Sequence, residues 1–182
     1  MPPIEYFARL AEYSVVYIEA HESYVKQSWR NRCRILSATG SLDLRVPVQH
    51  DGARLITDIR VDYSTPWVGR TEYAIDSAYY SSPFFEYYRD GLFAILDSHP
   101  ETLWELDMRL TEWFCSKLGL GVELRPTEDF TGEALDIHPK HPSSYEGRPY
   151  WQVFRDKFGF TPGLSVLDLL CNEGPESICY LK

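Results

Sequence analysis

The sequence predicts an α+β fold, in which a small antiparallel sheet in the N-terminal half packs against a helical C-terminal half. Strand patterns, meaning β-branched and aromatic runs or period-two alternation, are concentrated in residues 14–63. Apolar residues at helical spacing are concentrated in residues 67–181. Strands followed by helices are typical of α+β proteins rather than of alternating parallel folds. The length of 182 residues fits a single domain, residues 1–182.

The N-terminal half begins with a short helical pattern and continues with strands. Pro2 and Pro3 fit the first turn of a helix that covers residues 4–11. The turn residues 39–41 separate two strand patterns and predict a hairpin. Pro47 places the end of the second hairpin strand at a sheet edge, because proline cannot donate to a ladder. Strands are predicted over residues 14–20, 32–38, 42–48 and 56–63.

The C-terminal half carries mostly helical patterns. Ser81-Ser82-Pro83 is a cap followed by proline and predicts the start of a helix that ends near Gly91. The clearest helix covers residues 98–119, where large apolar residues recur at i, i+3, i+4 and i+7. Other elements are helices at residues 67–80, 150–158 and 165–171, a strand at 121–126, a long loop at 127–148, and a short final element at 175–181.

Composition excludes several classes of protein. The formal charge of −9 argues against broad binding to polyanions, nucleic acids included. No apolar run is long enough to span a membrane, and the N-terminus lacks the pattern of a secretory signal. The four cysteines are widely spaced, which indicates reduced thiols in a cytoplasmic protein. No dinucleotide-binding or P-loop motif is present, and the sequence indicates no particular cofactor.

A short cationic segment is the sharpest local feature. Within an acidic chain, residues 26–34 hold four cations, with aromatic and amide side chains among them. Arginine binds phosphate and carboxylate through a fork, and aromatic rings provide a stacking face. One interpretation is an anion site for a nucleotide, a nucleotide-sugar or an acyl donor; the other is a surface stretch whose arginines pair with this protein's carboxylates. The candidate binding residues here are Tyr24, Lys26, Gln27, Arg30, Asn31 and Arg32.

Candidate acid–base residues lie in two places. Glu86 follows two phenylalanines at a predicted helix start and could act as a general base. Tyr79 and Tyr87, in the same aromatic stretch, are further candidates for binding. The alternative interpretation is that these aromatic residues simply pack in the core. His21 lies beside the cationic segment. His138 and His141 lack the helical setting and third ligand of a metal site, so no metal is predicted. Cys33 is expected to be buried in a strand rather than reactive.

The ordered set of motifs resembles the WbqC-like proteins, a bacterial family noted in O-antigen gene clusters. The matching segments cover nearly the whole chain. They are Pro2–Phe7, Glu22–Cys33, Leu44–Val48, Ile59–Tyr63, Trp67, Ala78–Tyr88, Tyr150–Phe154, Gly159-Phe160 and Ser165–Pro175. The resemblance draws attention to Asp62, Trp67, Tyr79, Glu86, Asp168 and Asn172.

Two features depart from the family pattern. Family members usually carry a short apolar strand before the Pro-Pro motif, and the sequence here begins at Met1 without it. In similar sequences a histidine often lies three positions after the tryptophan that corresponds to Trp67; this chain has Arg70 there. Arginine cannot shuttle a proton at neutral pH, so a phosphate or carboxylate contact is expected of Arg70 instead.

The resemblance implies a cytoplasmic protein of surface-polysaccharide synthesis. The first hypothesis is a transferase that acts on a nucleotide-linked sugar, with Lys26, Arg30 and Arg32 binding an anionic small molecule and Glu86 or His21 accepting a proton. The alternative is a non-catalytic assembly protein for polysaccharide-synthesis enzymes; a hydrolase is a weaker third option. The sequence leaves open whether the chain forms a homo-oligomer.

Overall fold

The structure is a computed structural model that describes residues 1–132, 135, 137–141 and 145–182. Six α-helices and four strands are found in these residues, and a mixed α+β fold is confirmed. The helices are α1 (Ile4–Leu10), α2 (Trp67–Tyr79), α3 (Phe85–Asp97), α4 (Leu103–Lys117), α5 (Arg155–Phe158) and α6 (Val166–Glu173). The strands are β1 (Val15–Ile18), β2 (Arg32–Ser37), β3 (Gly40–Arg45) and β4 (Glu123–Pro126).

The four strands form two separate two-stranded sheets. The predicted hairpin is confirmed: β2 and β3 pair antiparallel, from Arg32 opposite Arg45 to Ser37 opposite Gly40. Gly40 has a φ of 114°, which a side chain would strain, so glycine is required in this turn. The sequence predicted that β1 would belong to an antiparallel sheet of the N-terminal half. Instead, β1 pairs in parallel with β4, which follows α4 in the chain.

The strand predicted over residues 56–63 is wrong. Residues Ile56–Asp58 form a 3-10 helix, and the following residues make only single bridges, Arg60 with Thr102 and Val61 with Val48. Ile56 and Ile59 are both 3% exposed. Their three-residue spacing matches one turn of a 3-10 helix and not the period of a strand, so helical geometry buries both side chains.

The helices form the core, and two of them are capped as their sequences indicate. Thr102 accepts a hydrogen bond from the backbone N–H of Glu105 at the start of α4, and Ser165 accepts one from Leu167 at the start of α6. The helix α3 continues past Gly91, where the sequence predicted its end. A Cβ there would come within 2.9 Å of the Trp113 indole, so glycine lets α3 pack closely on α4.

The segment after the long loop is mostly extended. Helical spacing predicted a helix over residues 150–158, but within that range only α5 is helical. The residues before α5 are extended, with Tyr150 and Gln152 buried and the Tyr150 hydroxyl bonded to Asp168 of α6. The final element is a 3-10 helix, Gly174–Tyr180. Among the described residues, no helix combines the length and apolar character that a membrane span requires.

Candidate functional site

A cavity of about 410 Å³ lies beside α1 and β2, and we call it the aromatic pocket. Five aromatic side chains from separate parts of the chain line it: Trp29, Tyr145, Tyr150, Phe160 and Tyr180. The ring centroid of Tyr150 lies 5.4 Å from that of Phe160 and 5.9 Å from that of Tyr180, both in edge-to-face geometry. This volume lies within the range of small-molecule sites, and the walls provide several faces on which a planar group can stack.

Cations enter the same pocket from three directions. The residues Arg9 of α1, Arg34 of β2 and Arg148 line it. Arg34 pairs with Asp43 at 2.7 Å and lies 5.7 Å from the Trp29 ring centre, which fixes its position at the wall. The Arg148 guanidinium donates to the carbonyl oxygen of Cys179 at 3.3 Å. Arg9 pairs with Glu12 at 3.1 Å, and Glu5 also lines the pocket. The pocket therefore presents three guanidinium groups, two of which are held by carboxylates.

A buried polar cluster supports the floor of the aromatic pocket. Asp168 of α6 accepts hydrogen bonds from the Tyr150 hydroxyl at 2.6 Å and from Gln152 Nε2 at 3.2 Å. Gln152 also donates to the carbonyl oxygen of Thr161 at 2.9 Å, and its Oε1 accepts from the Thr161 N–H at 2.8 Å. Burial raises the pKa of Asp168 to about 6, against the opposing effect of these donors. The cluster joins α6 to two segments of the pocket wall.

Tyr79 and Asn172 border this cluster. The Tyr79 hydroxyl lies close enough to Asp168 to help lower its pKa, but it lacks full hydrogen-bond geometry. Asn172 Nδ2 donates to the Asp168 backbone carbonyl at 2.7 Å, which is a local helical contact. Both side chains thus have structural contacts below the pocket rather than in its lining.

A second, much smaller cavity of about 20 Å³ lies where β2 and β3 meet α2 and α4; we call it the narrow cleft. Its lining includes Arg30, Asn31, Arg32, Trp67 and Asp107. Among the described residues, the buried atoms Asn31 Oδ1, Arg32 Nε and Trp67 Nε1 have no hydrogen-bond partner. Arg30 forms an ion pair with Glu22. The two cavities share no lining residue.

The sequence-predicted residues fall into three groups: those in the narrow cleft, those buried or half-buried elsewhere, and those that are exposed and line neither cavity. Four of them, Arg30, Asn31, Arg32 and Trp67, meet in the narrow cleft, and Tyr79 lies at Asp168. Tyr24 is half-buried against the core. The remaining candidates are exposed and line neither cavity: His21, Lys26, Gln27, Arg70, Glu86 and Tyr87. Their roles in binding or catalysis stay predictions.

Sequence reasoning missed most of the aromatic pocket. Trp29 and Arg34 belong to the cationic segment, and their combination of a ring and a guanidinium was a usable signal. Arg9 and Arg148 lie in segments with ordinary surface patterns, so only the folded chain brings them together.

The histidines and cysteines of the described residues form no metal-binding group of three or more ligands. The ring centroids of His138 and His141, which line the aromatic pocket, are 4.9 Å apart, and His138 Nδ1 accepts a hydrogen bond from the Lys140 N–H. Cys33 is buried, as predicted, and burial raises the pKa of its thiol to about 11. A thiolate is therefore strongly disfavoured at this position.

Comparison with known proteins connects this architecture to one family. The sequence model of the WbqC-like protein family matches residues 1–140. The chain is also 28% identical over 215 aligned positions to Rv1507c, an uncharacterised protein of Mycobacterium tuberculosis, with 97% of this chain and 91% of that protein covered. No solved structure matches the chain.

Proposed function

Because this chain belongs to the WbqC-like protein family, we propose that it is a transferase that modifies a nucleotide-linked sugar. The reaction takes place in the cytoplasm and serves surface-polysaccharide synthesis, as the resemblance described above implies. The sugar nucleotide binds in the aromatic pocket rather than along the whole cationic segment. That segment contributes to the pocket through Trp29 and Arg34.

The observation that carries this proposal is the convergence of rings and arginines on one cavity of about 410 Å³. A nucleobase is planar and gains from stacking on Trp29 or a tyrosine ring. A diphosphate carries two adjacent anionic groups, and arginine binds such groups through paired N–H donors. Arg9, Arg34 and Arg148 line the pocket. Arg34 binds Asp43 through Nε and Nη2, and Arg9 binds Glu12 through Nη1, so a ligand would use the remaining N–H groups of these residues and those of Arg148.

The pocket also holds a candidate for proton transfer. In the proposed reaction an amino or hydroxyl group of the sugar attacks an acyl-type donor and forms the new bond. The donor's leaving group departs with the electron pair of the broken bond, and an imidazole takes the proton from the attacking group. His138 and His141 line the pocket and are placed for this role better than Glu86 or His21, which do not line it.

Calorimetric titration with uridine-, guanosine- and cytidine-linked sugars tests the proposal. We expect one of them to bind with a stoichiometry of one, and Arg148→Ala to weaken that binding about tenfold, since one charge-assisted contact is lost. The control variant is Arg109→Ala, which removes an exposed arginine of α4 outside the pocket. No saturable binding by any of the panel, or equal weakening by both variants, contradicts the proposal.

A second candidate function is assembly of polysaccharide-synthesis enzymes without catalysis. What favours it is the exposure of Tyr73 of α2, Tyr80 directly after α2 and Tyr87 of α3, at 76%, 84% and 71%. Exposed tyrosines are frequent anchors of protein interfaces. An assembly protein retains a stoichiometric partner from a native lysate without added ligand. Replacing the three tyrosines by serine should release that partner, whereas Tyr13→Ser, also at an exposed site, should retain it.

A further inference from the structure

We propose that the narrow cleft is a second anion site, which binds a small oxyanion such as a carboxylate, sulfate or phosphate group. The site is separate from the aromatic pocket, because no described residue lines both cavities. The inference therefore stands or falls independently of the proposed transferase activity.

Unused hydrogen-bond donors are the first argument. Trp67 is 5% exposed, and among the described residues its indole N–H has no partner. The buried Nε–H of Arg32 also lacks a hydrogen-bond partner among the described residues. Buried donors are nearly always satisfied in folded proteins, by protein, water or a ligand. Two N–H groups at one cavity fit the oxygens of an anion.

The charge of the cleft is the second argument. Arg30, Arg32 and Arg45 line it, and among the described residues Asp107 is the only acidic one in its lining. Glu22 pairs with Arg30. For Arg32, the described part of the chain supplies no ion-pair partner. Arg32 and Arg45 also interact electrostatically with Asp43 of β3, and Arg45 is exposed. The described lining still holds more guanidinium than carboxylate groups, which favours an oxyanion as occupant.

The size of the cleft limits what enters. A volume of about 20 Å³ is close to the space of one water molecule, so it admits one oxygen atom of a carboxylate, sulfate or phosphate group, with the rest of the anion outside, and it excludes a nucleotide ring. Asn31 Oδ1 adds one acceptor without a described partner. Water is the competing occupant, and it differs from an anion because its binding does not saturate with the concentration of an added anion.

The Asp107 carboxyl supplies a chemical switch for the test. Burial raises its pKa to about 7, so the group is neutral in acid and repels an anion at higher pH. Other charged or titratable groups interact with it: the Met1 amino group and Arg30 oppose the shift, and the interaction reaches Tyr6, Tyr24 and Cys33. Of these partners, the α-amino group is the one whose ordinary pKa, about 7.7–8.0, falls between pH 5.5 and pH 8, and it is present in wild type and variants alike.

The experiment follows the indole N–H resonance of Trp67 in ¹⁵N-labelled protein, assigned with Trp67→Phe. Sodium sulfate, which does not titrate in this pH range, should shift that resonance saturably at pH 5.5, with the chloride salt as the ionic-strength control. Acetate in a parallel titration distinguishes a planar from a tetrahedral preference. Occupancy by water alone predicts no saturable shift from either anion, and that result overturns the proposal.

Two variants and a matched control sharpen the test. Arg32→Gln should weaken sulfate binding about tenfold, because a charged donor is lost. Asp107→Asn should tighten it several-fold at pH 8 and leave it unchanged at pH 5.5, since the repelling charge exists only at the higher pH. Arg109→Gln, on the exposed side of the same helix, should change neither value. Tightening that is absent at pH 8, or weakening by Arg109→Gln equal to that of Arg32→Gln, overturns the proposal. The four other indole resonances report whether each variant is folded.

Discussion

The aromatic pocket and the narrow cleft present opposite combinations of space and hydrogen bonding. The pocket has a volume of about 410 Å³, and its walls are held by Arg34 on Asp43 and by Tyr150 on Asp168; one buried atom of its lining residues, Arg9 Nε, lacks a partner among the described residues. The cleft has about 20 Å³, and three buried polar atoms in its lining lack partners among the described residues. A large cavity with fixed walls suits a ring-bearing ligand, whereas a small one with unused donors suits a single anionic group.

Removal of the pocket floor should have the largest effect. Asp168→Ala leaves the buried Tyr150 hydroxyl without an acceptor and takes one acceptor from Gln152. We expect a loss of about 2–3 kcal/mol in the free energy of unfolding, measured with urea. The variant should also weaken nucleotide-sugar binding while the sulfate response of Trp67 persists.

Asp156→Ala is the control for this change, because Asp156 is exposed on α5. We expect it to alter the free energy of unfolding by less than about 0.5 kcal/mol. Equal stability of the Asp168 and Asp156 variants would show that the buried cluster does not support the pocket.

The cleft should have its own dependence on pH. Burial raises the pKa of Asp107 from 3.8 to about 7, so the folded state holds this proton more tightly than the unfolded chain. The stabilisation is present below pH 3.8 and is lost as pH rises through about 7. Asp107→Asn should therefore gain about 1–2 kcal/mol relative to wild type between pH 5 and pH 8. A difference between the two proteins that is constant over this range would refute the assignment.

Glu19 provides a comparison of opposite sign, at the segment that leads to one wall of the pocket. Its carboxylate accepts hydrogen bonds from the Thr127 hydroxyl at 2.8 Å and from the Thr131 N–H and hydroxyl at 3.0 Å. Hydrogen bonds from the Thr131 and His21 backbone lower the pKa of Glu19 from 4.5 to about 2.

The stabilisation by Glu19 is thus present above pH 4.5 and is lost as pH falls through about 2. Glu19→Gln should lower the Tm by a few degrees at pH 7, and the gap from wild type should close in acid. Differential scanning calorimetry across pH 2–7 measures it. A gap that widens as the pH falls is the contrary result.

The smallest effect on stability is expected at the pocket's exposed arginine. Arg148 donates to the carbonyl oxygen of Cys179 at its exposed site, so Arg148→Ala should cost less than about 0.5 kcal/mol in urea unfolding. The same variant is expected to weaken nucleotide-sugar binding about tenfold. A large loss of stability would mean that the residue acts through folding rather than through binding.

Local patterns account for the part of the fold that could be predicted. The hairpin β2–β3 follows from its glycine turn and alternation, and α4 follows from its apolar stripe, although the helix begins at Leu103, after the Thr102 cap, and not at residue 98 as predicted. The parallel pairing of β1 with β4 could not be predicted, because it joins Val15 to Glu123 and depends on how the intervening helices pack.

The candidate sites show the same limit. The sequence located the cationic segment, but not the division of its side chains between two cavities, with Trp29 and Arg34 in one and Arg30 and Arg32 in the other. That division depends on which element packs against each residue, and composition carries no information about it.

One spectrum tests whether this protein has two separate anion-binding regions. The indole N–H resonances of Trp29 and Trp67 report on the aromatic pocket and the narrow cleft respectively, with Trp104, Trp113 and Trp151 as internal references. We expect the nucleotide-linked sugar selected by calorimetry to shift the Trp29 resonance alone. Sulfate added afterwards should shift the Trp67 resonance alone. Movement of both resonances with either ligand, or of neither with both, would contradict this expectation.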